Sequence, residues 1–340
     1  VWSVSTGAGS GEKLLRLVPA LGQDNVFVVS REGELQSVAI KDGSVNWTIQ
    51  SGKQISAGPG VGGDLVVIGA RDASVMAYSR KDGKPVWNVT VSSEVLAVPA
   101  VSDTHVLIRS IDGRLVALDA KTGKQLWDYE KREPVLTLRG TSAPVIAGSQ
   151  VVSGFDDGEL VALTLSKGRQ IWSNKISVPR GRTEIERIAD VDATPVVIGN
   201  AVFVVAYQGN IAAIELTTGQ LGWKREMSAF AGLNVDQENL YVTDATDQVW
   251  ALYANNGATL WRQEKLQWRG LTSPALYKDY VVVGDFEGYL HWLHKKDGRF
   301  VGRIRGDSAG YAVAPVVSGD KLIALSKDGE LAAYRLPPSK

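Results

Sequence analysis

The residue types that most often carry chemistry are sparse in this sequence. His105, His291 and His294 are the only histidines in 340 residues, and cysteine is absent. A zinc site needs several converging nitrogen, oxygen or sulfur ligands, and the sequence supplies no such set near these histidines. No thiol is present as a nucleophile, and no Gly-x-Ser-x-Gly segment marks a serine nucleophile. The sequence therefore favours a protein that is not an enzyme and that holds no metal or cofactor.

Two short segments resemble binding motifs. Residues 58–63 match the Gly-x-Gly-x-x-Gly spacing, but a nucleotide site needs these glycines between a strand and a helix. Here they precede an aliphatic run, residues 65–68, that is typical of a strand, so we interpret the match as accidental. Residues 156–159, Asp-Asp-Gly-Glu, resemble part of a calcium loop but lack its remaining ligand spacing. We expect them to form a turn.

A repeat of roughly 40 residues organises the whole chain. Six copies place a tryptophan four residues after a turn glycine, and a seventh has glycine instead of tryptophan: Gly43/Trp47, Gly83/Trp87, Gly123/Trp127, Gly168/Trp172, Gly219/Trp223, Gly257/Trp261 and Gly298/Gly302. An aliphatic residue at the centre of the preceding strand recurs eight times: Leu35, Val75, Leu115, Leu160, Ile211, Val249, Leu290 and Leu331. A proline opens a strand in seven units, with Leu233 in its place in the sixth: Pro19, Pro59, Pro99, Pro144, Pro195, Pro274 and Pro315.

A repeat of this length with four short β-stretches per unit is the signature of a β-propeller. The sequence thus predicts an all-β, eight-bladed β-propeller of four-stranded blades, as a single domain over residues 1–340. The eighth unit has only three predicted strands, whereas residues 1–4 form a strand without a blade. We expect this N-terminal strand to complete the last blade and close the ring, which leaves no wide unpaired sheet edge.

Most of the ten tryptophans are predicted to be structural. Seven share one repeat position, where a large flat side chain fills the space between neighbouring blades. Trp250 and Trp292 lie on third strands and are also expected to pack. Trp268 lies in a connection between blades and is the one candidate for exposure.

The composition excludes some classes of partner. Lys+Arg and Asp+Glu are both 37, so the formal charge is zero and the bulk attraction that drives nucleic-acid binding is absent. No run reaches the roughly 18 apolar residues that span a bilayer. The lack of cysteine fits an oxidising compartment but is also compatible with the cytosol.

The connections that enter blades four and five are longer than most others. The first insertion contains Leu136, Leu138 and Arg139, and the second ends at Asp190 and Asp192. Arg139 and Asp190 both lie five residues before a blade-opening proline, so we expect their opposite charges to lie near each other on one face.

The spacing leaves two interpretations of these insertions open. One is a surface ion pair, worth about 0–1 kcal/mol, with the two leucines folded under their own loop. The other is a binding site, since insertions in repeat proteins gather on one face that often binds partners. Arg269-Gly270 has the same offset before Pro274, so this pair is not confined to blade four.

The Asp/Thr-Gly-x-x-x-Trp repeats resemble the pyrroloquinoline-quinone-type propeller repeat. Residues 136–144 and 190–195, Leu-Thr-Leu-Arg-Gly-x-Ser-Ala-Pro and Asp-Val-Asp-x-Thr-Pro, together resemble the BamB family of propeller lipoproteins, and the likeness covers essentially the whole chain. The resemblance implies a non-catalytic scaffold on the periplasmic face of the bacterial outer membrane that docks on the POTRA domains of BamA. Unfolded outer-membrane proteins are a further candidate partner, and the sequence leaves open whether the protein binds them directly.

The resemblance assigns the docking to Leu136, Leu138, Arg139, Asp190 and Asp192, with the two aspartates expected to orient the arginine. The family attaches to the membrane through a lipidated N-terminal cysteine, which this sequence lacks. We take the chain to be a mature protein without its anchor. Two rival hypotheses remain: a quinone-dependent dehydrogenase built on the same repeat, and a propeller that binds a small ligand or an unfolded strand in its channel or along a blade edge.

Overall fold

The computed structural model describes residues 1–11, 15, 17–131, 142–177 and 190–336. Within these ranges every regular element is a β-strand, and the strands form eight four-stranded antiparallel sheets. The first strands of neighbouring sheets contact each other and so surround the centre of the ring. The all-β, eight-bladed propeller expected from the repeat is confirmed.

The chain begins with β1 (Trp2–Ser5), which belongs to blade eight. Blades one to four are β2 (Ala20–Leu21), β3 (Asn25–Val29), β4 (Glu34–Ala39) and β5 (Val45–Gln50); β6 (Ile55–Gly62), β7 (Leu65–Ala70), β8 (Ser74–Ser79) and β9 (Pro85–Thr90); β10 (Ala100–Val101), β11 (His105–Arg109), β12 (Arg114–Asp119) and β13 (Gln125–Glu130); and β14 (Val145–Ala147), β15 (Gln150–Gly154), β16 (Glu159–Thr164) and β17 (Gln170–Lys175).

Blades five to seven follow the same order, and blade eight has three strands besides β1. They are β18 (Val196–Ile198), β19 (Ala201–Val205), β20 (Asn210–Glu215) and β21 (Leu221–Glu226); β22 (Gly232–Val235), β23 (Asn239–Thr243), β24 (Val249–Tyr253) and β25 (Thr259–Gln263); β26 (Ala275–Tyr277), β27 (Tyr280–Gly284), β28 (Tyr289–His294) and β29 (Phe300–Arg305); and β30 (Val316–Ser318), β31 (Lys321–Leu325) and β32 (Glu330–Tyr334).

Burial explains why the middle strands are continuous apolar runs. Strand β7 is buried at every position, because neighbouring blades cover both faces of its sheet, whereas the outer strand β9 is exposed or half-buried throughout. A short run that is apolar at successive positions is the pattern of a strand buried on both faces. All eight aliphatic residues that mark the third strands are fully buried: Leu35, Val75, Leu115, Leu160, Ile211, Val249, Leu290 and Leu331.

Six of the seven repeat prolines directly precede an inner strand, as expected. Pro59 instead lies inside β6, which begins four residues earlier than the proline. Proline has no N–H to donate to the sheet, so within a strand it is tolerated at irregular positions. The register of β6 against β7 shifts between Ala57 and Gly60, and this irregularity accommodates Pro59.

The ring is closed by the two ends of the described chain. Strand β1 pairs antiparallel with β32, with Trp2 opposite Ala333 and Ser5 opposite Glu330. Beyond the strand, both the backbone N–H and the hydroxyl of Thr6 donate to the carbonyl of Gly329 at 2.8 Å. The expected closure by the N-terminal strand is confirmed.

Neighbouring blades are joined by a contact between a tryptophan and a turn glycine. The indole Nε1 of Trp87 donates to the carbonyl of Ala120 at 2.8 Å, and the ring lies so close to Gly123 that an added Cβ would sit 2.8 Å from it. The same pairing occurs at six other interfaces: Trp2 with Gly43, Trp47 with Gly83, Trp127 with Gly168, Trp172 with Gly219, Trp223 with Gly257 and Trp261 with Gly298. The predicted structural role of the repeat tryptophans follows from this contact.

The structure also explains why blade seven has Gly302 where the other outer strands have tryptophan. A tryptophan contacts the turn between the third and fourth strands of the next blade. In blade eight those strands are β32 and β1, which come from opposite ends of the chain, so no hairpin turn joins them. A Cβ added to Gly302 would meet nothing within 4 Å. Blade seven therefore lacks the tryptophan at the interface where the next blade has no hairpin turn to contact it.

Two glycine substitutions test this contact. We expect Gly123→Ala to lower the free energy of unfolding by about 2 kcal/mol or more, because Gly123 has φ +71° and the new methyl group would collide with Trp87. Gly302→Ala, in an extended strand with open space, should change it by less than about 0.5 kcal/mol or increase it. Urea unfolding of both variants makes the comparison; equal losses would contradict the proposed role of the contact.

Candidate functional site

The antiparallel blades divide the connecting segments between two faces. Turns between second and third strands lie at the same end of each blade as the connections to the next blade, and hydrogen bonds such as Phe286 N–H to Arg269 C=O join the two sets. We call this end the loop face. It comprises the turns between second and third strands and the described residues of the connections, which are 6–11, 15, 17–19, 51–54, 91–99, 131, 142–144, 176–177, 190–195, 227–231, 264–274 and 306–315.

Asp190 and Asp192 lie on the loop face, between blades four and five. The backbone carbonyl of Asp190 accepts from Tyr207 N–H at 2.9 Å, in the turn of blade five. Val191 packs so closely on Gly154 of blade four that a Cβ there would lie 2.5 Å from it. Asp190 is 0% exposed and Asp192 3%. The segment is therefore clamped between two blades, with both carboxyl side chains buried.

The other three predicted site residues lie outside the described residues. Leu136, Leu138 and Arg139 belong to residues 132–141, which the structure does not describe. The structure therefore does not test whether Arg139 lies beside Asp190, and that pairing stays a prediction.

A buried ionic network occupies the boundary between blades three and four and includes Lys131, the last described residue before the first insertion. Arg109 is fully buried, its Nη2 lies 3.6 Å from Asp156 Oδ1, and its guanidinium lies 4.5 Å from the ring centroid of Phe155. Lys131 lies 5.3 Å from the same centroid and 2.9 Å from Asp157 Oδ2. Burying charges is costly unless they are paired, so this network holds the turn at residues 155–158 in one arrangement.

Sequence reasoning identified the turn at residues 156–159 but missed its ionic partner. The turn prediction is confirmed for residues 156–158, which lie in the connection between β15 and β16, and Glu159 begins β16. The missed signal was Arg109 itself, the one charged residue at the end of the apolar strand His105–Arg109. A charge at a repeat position that is otherwise apolar or small indicates a buried partner in the neighbouring blade.

A second polar network lies on the loop face at blade seven. Arg269 Nε donates to Asp285 Oδ2 at 2.7 Å, and its Nη2 contacts Glu287. The buried side chain of His291 lies with Nε2 2.9 Å from the same Asp285 oxygen. Asp285 Oδ1 accepts the backbone N–H of Tyr289 at 2.8 Å. One buried carboxylate thus joins the connection, the turn and the third strand of its blade.

The charge on Asp285 is stabilised by these partners. Burial by itself acts to raise the pKa of the Asp285 carboxyl. Hydrogen bonds from His291 and the backbone of Tyr289 oppose this effect, as do the hydrogen bond and the positive charge of Arg269. Together they hold the pKa of Asp285 below its ordinary value of 3.8. Asp285 is therefore ionised at neutral pH.

In the described part of the chain, no cluster of three or more His, Cys, Asp or Glu side chains is suited to a metal ion. A cleft of about 570 Å³ on the face opposite the loop face is lined by residues that include Asp236, Asp279, His294 and Lys295. Among the described residues, no helix is long and apolar enough to cross a membrane.

The Asp285 network generates a prediction about stability and pH. Asp285→Asn should lower the free energy of unfolding at pH 7 by about 3 kcal/mol, because it leaves Arg269 without its buried partner. A carboxyl whose folded pKa is depressed stabilises above its unfolded pKa and loses that contribution as pH falls through the folded pKa. The deficit of the variant should therefore shrink below about pH 3.8. Urea unfolding between pH 7 and 3 measures it.

The control for this prediction is Asp297→Asn, which removes an exposed carboxylate that pairs with Arg299 at 3.2 Å. An exposed pair is worth about 0–1 kcal/mol, so this variant should unfold almost as wild type. A deficit for Asp285→Asn that stays constant over the whole pH range would contradict the role assigned to its charge.

Comparisons with known proteins agree with one another. The family model described as outer membrane protein assembly factor BamB matches residues 31–263 and 251–337. The BamB of Marinobacter adhaerens is 51% identical over 339 residues, which cover 99% of this chain and 87% of that protein. The BamB of Alkalilimnicola ehrlichii is 49% identical over 336 residues, which cover 99% of this chain and 88% of that protein.

Some alignments are shorter. The match to the BamB of Yersinia pestis is 40% identical over 201 residues and covers 59% of this chain. It covers 51% of that protein, so the chain spans about half the length of this relative.

Solved structures give the same result at the level of the fold. The crystal structure of BamB from Moraxella catarrhalis superimposes with a TM-score of 0.90 at 26% identity and covers 99% of both chains. The quinohemoprotein alcohol dehydrogenase ADHIIG of Pseudomonas putida HK5 superimposes with a TM-score of 0.75 at 13% identity, covering 95% of this chain and 71% of that one; this likeness shows the fold alone. The family model and the full-length relatives decide the assignment: the chain belongs to the BamB family of outer membrane protein assembly factors.

Proposed function

We propose that this chain is a non-catalytic scaffold of the machinery that assembles β-barrel proteins in the bacterial outer membrane. In this role it acts at the periplasmic face of that membrane and docks on the POTRA domains of BamA. Membership of the BamB family supports the proposal, because the matching relatives carry the name outer membrane protein assembly factor. The observation that carries it is the Asp190-Val191-Asp192 segment, clamped between two blades on the loop face with both carboxyl side chains buried.

The proposal divides the work between the two insertions. Leu136 and Leu138 provide apolar contact area, and Arg139 provides a planar fork of donors for a carboxylate or carbonyl of the partner. Asp190 and Asp192 act behind this surface and orient Arg139. Their burial supports this division, because a carboxylate that is 0% or 3% exposed has almost no surface to offer a partner directly.

The propeller is suited to such a task because its loop face is supported by stiff blades. The ring of tryptophan contacts holds the blades together, and the Arg109–Asp156 network fixes the turn beside the first insertion. Association then requires less ordering of the scaffold, and a larger share of the contact energy appears as affinity.

Titration with the soluble POTRA domains of BamA tests the docking surface. We expect Arg139→Glu, and separately the double substitution Leu136→Ala/Leu138→Ala, to weaken binding by tenfold or more, since a central arginine or apolar anchor is worth about 2 kcal/mol. Lys121→Glu is the matched control, because Lys121 is exposed in a turn on the opposite face. Wild-type affinity in folded docking variants would show that the surface lies elsewhere.

A double-substitution cycle tests the role of the aspartates. If Asp190 acts by orienting Arg139, Asp190→Asn should weaken POTRA binding in wild type but have little further effect in an Arg139→Ala background. The coupling energy between the two substitutions should then exceed about 1 kcal/mol. Calorimetric titration of the four proteins gives this energy directly. Equal losses in both backgrounds would mean that Asp190 contributes independently of Arg139.

A further inference from the structure

The connection into blade seven repeats the sequence pattern of the connection into blade four. Residues 136–144 are Leu-Thr-Leu-Arg-Gly-Thr-Ser-Ala-Pro, and residues 266–274 are Leu-Gln-Trp-Arg-Gly-Leu-Thr-Ser-Pro. The first leucine, the arginine, the glycine and the final proline coincide, and Trp268 stands where blade four has Leu138. Both segments end at the proline before an inner strand. Both therefore end on the loop face.

The structure describes the blade-seven copy completely, and its tryptophan is turned outward. Leu266 and Leu271 are buried in the core cluster that also contains Trp261. Between these two anchors, Trp268 is 72% exposed, more than any other large apolar side chain of the described residues. Isolated apolar side chains on a surface are ordinary. A tryptophan held at the apex of an anchored loop is a different case, because the loop presents it in a defined position.

The backbone of this loop is held by hydrogen bonds from blade six. The carboxylate of Asp247 accepts the backbone N–H of Gly270 at 2.9 Å and that of Leu271 at 2.8 Å. The N–H of Trp268 donates to the carbonyl of Thr246 at 3.4 Å. Trp268 has φ +63°, a left-handed conformation that is unfavourable for a bulky residue and persists where the surrounding contacts impose it. Presenting Trp268 therefore requires little ordering when a partner binds.

Trp268 stands beside a paired arginine and a second exposed aromatic ring. Arg269, the next residue, is paired with Asp285 and Glu287, and its guanidinium lies 6.0 Å from the ring centroid of Phe286. Phe286 is itself 47% exposed. Since Arg269 is already paired with two carboxylates of its own blade, its charge is not free to bind a partner. What this part of the loop face offers a partner is the two aromatic rings of Trp268 and Phe286. An exposed indole beside a second aromatic ring fits an apolar socket on a protein.

We propose that residues 266–270 form a second docking element, in which Trp268 enters an apolar socket on the same POTRA-containing partner that the blade-four motif contacts. This inference rests on the proposed function. The shared motif and the shared face connect the two elements to one partner. Because the ring holds both at a fixed separation, the second contact forms at high effective concentration once the first is made.

Titration with the soluble POTRA domains tests the second element through three substitutions at one position. Trp268→Ala should weaken binding by about tenfold or more, and Trp268→Glu should weaken it further. Trp268→Leu introduces the residue that blade four has at the equivalent position, so it should keep most of the wild-type affinity. Because Trp268 is exposed, these changes leave the core intact. Phe230→Ala is the control, since Phe230 is 43% exposed in the connection into blade six and lacks the motif. It should bind within about twofold of wild type.

The results separate this inference from the proposed function. If Arg139→Glu abolishes binding while Trp268→Ala binds as wild type, the blade-four docking stands and the second element is wrong. If the wild-type chain does not bind the POTRA domains, both are wrong. A direct readout comes from Gln267→Cys, a unique labelling site because the chain has no cysteine. An environment-sensitive dye there should shift to the blue when the partner is added, and an unchanged spectrum in a saturated complex would overturn the second element.

Discussion

The contact between a tryptophan on one blade and a turn glycine on the next is the interaction on which the structure depends. A single blade has two apolar faces and cannot bury both by itself, so its stability comes from its neighbours. The indole covers the turn, and its N–H satisfies a backbone carbonyl there, as Trp87 does for Ala120. The same side chain thus supplies apolar area and one directional bond, which sets how the blades are spaced and tilted.

The ring has one interface without this contact, between blade seven and blade eight, and blade eight is the one in which the two ends of the described chain pair. Blade eight consists of β1 and of β30 to β32. No hairpin turn therefore connects its outer strand, β1, to its third strand, β32. Backbone pairing of β1 with β32 replaces the covalent turn, and Trp2 still contacts Gly43 of blade one. Blade seven, which faces the missing turn, carries glycine on its outer strand. Closure of the ring therefore depends on the pairing of β1 with β32 in blade eight, the blade that has no hairpin turn for a tryptophan to contact.

On the loop face, buried carboxylates hold the connecting segments in place through hydrogen bonds, as strand pairing does within the blades. Asp247 accepts two backbone N–H groups of the connection into blade seven, and Asp285 joins that connection to its own turn and third strand. Buried polar groups require such partners. For the proposed function, the consequence is that side chains on this face stand on fixed supports, whereas side chains of less constrained loops would have to be ordered on binding.

The repeat alone determined the number of blades, the order of their strands, the closure by the N-terminal strand and the structural role of the repeat tryptophans. These features are local or periodic, because the spacing of a turn glycine and a tryptophan follows from hairpin geometry and recurs in each unit. The sequence also singled out Trp268 as the candidate for exposure, and the family resemblance marked Asp190 and Asp192 as candidate site residues. Only the tertiary structure decided that both aspartates are buried, that Arg109 pairs with Asp156, and that Arg269 is neutralised by Asp285. Each of these depends on contacts between blades or between a connection and a distant turn, and periodicity does not encode which side chains meet across such a boundary.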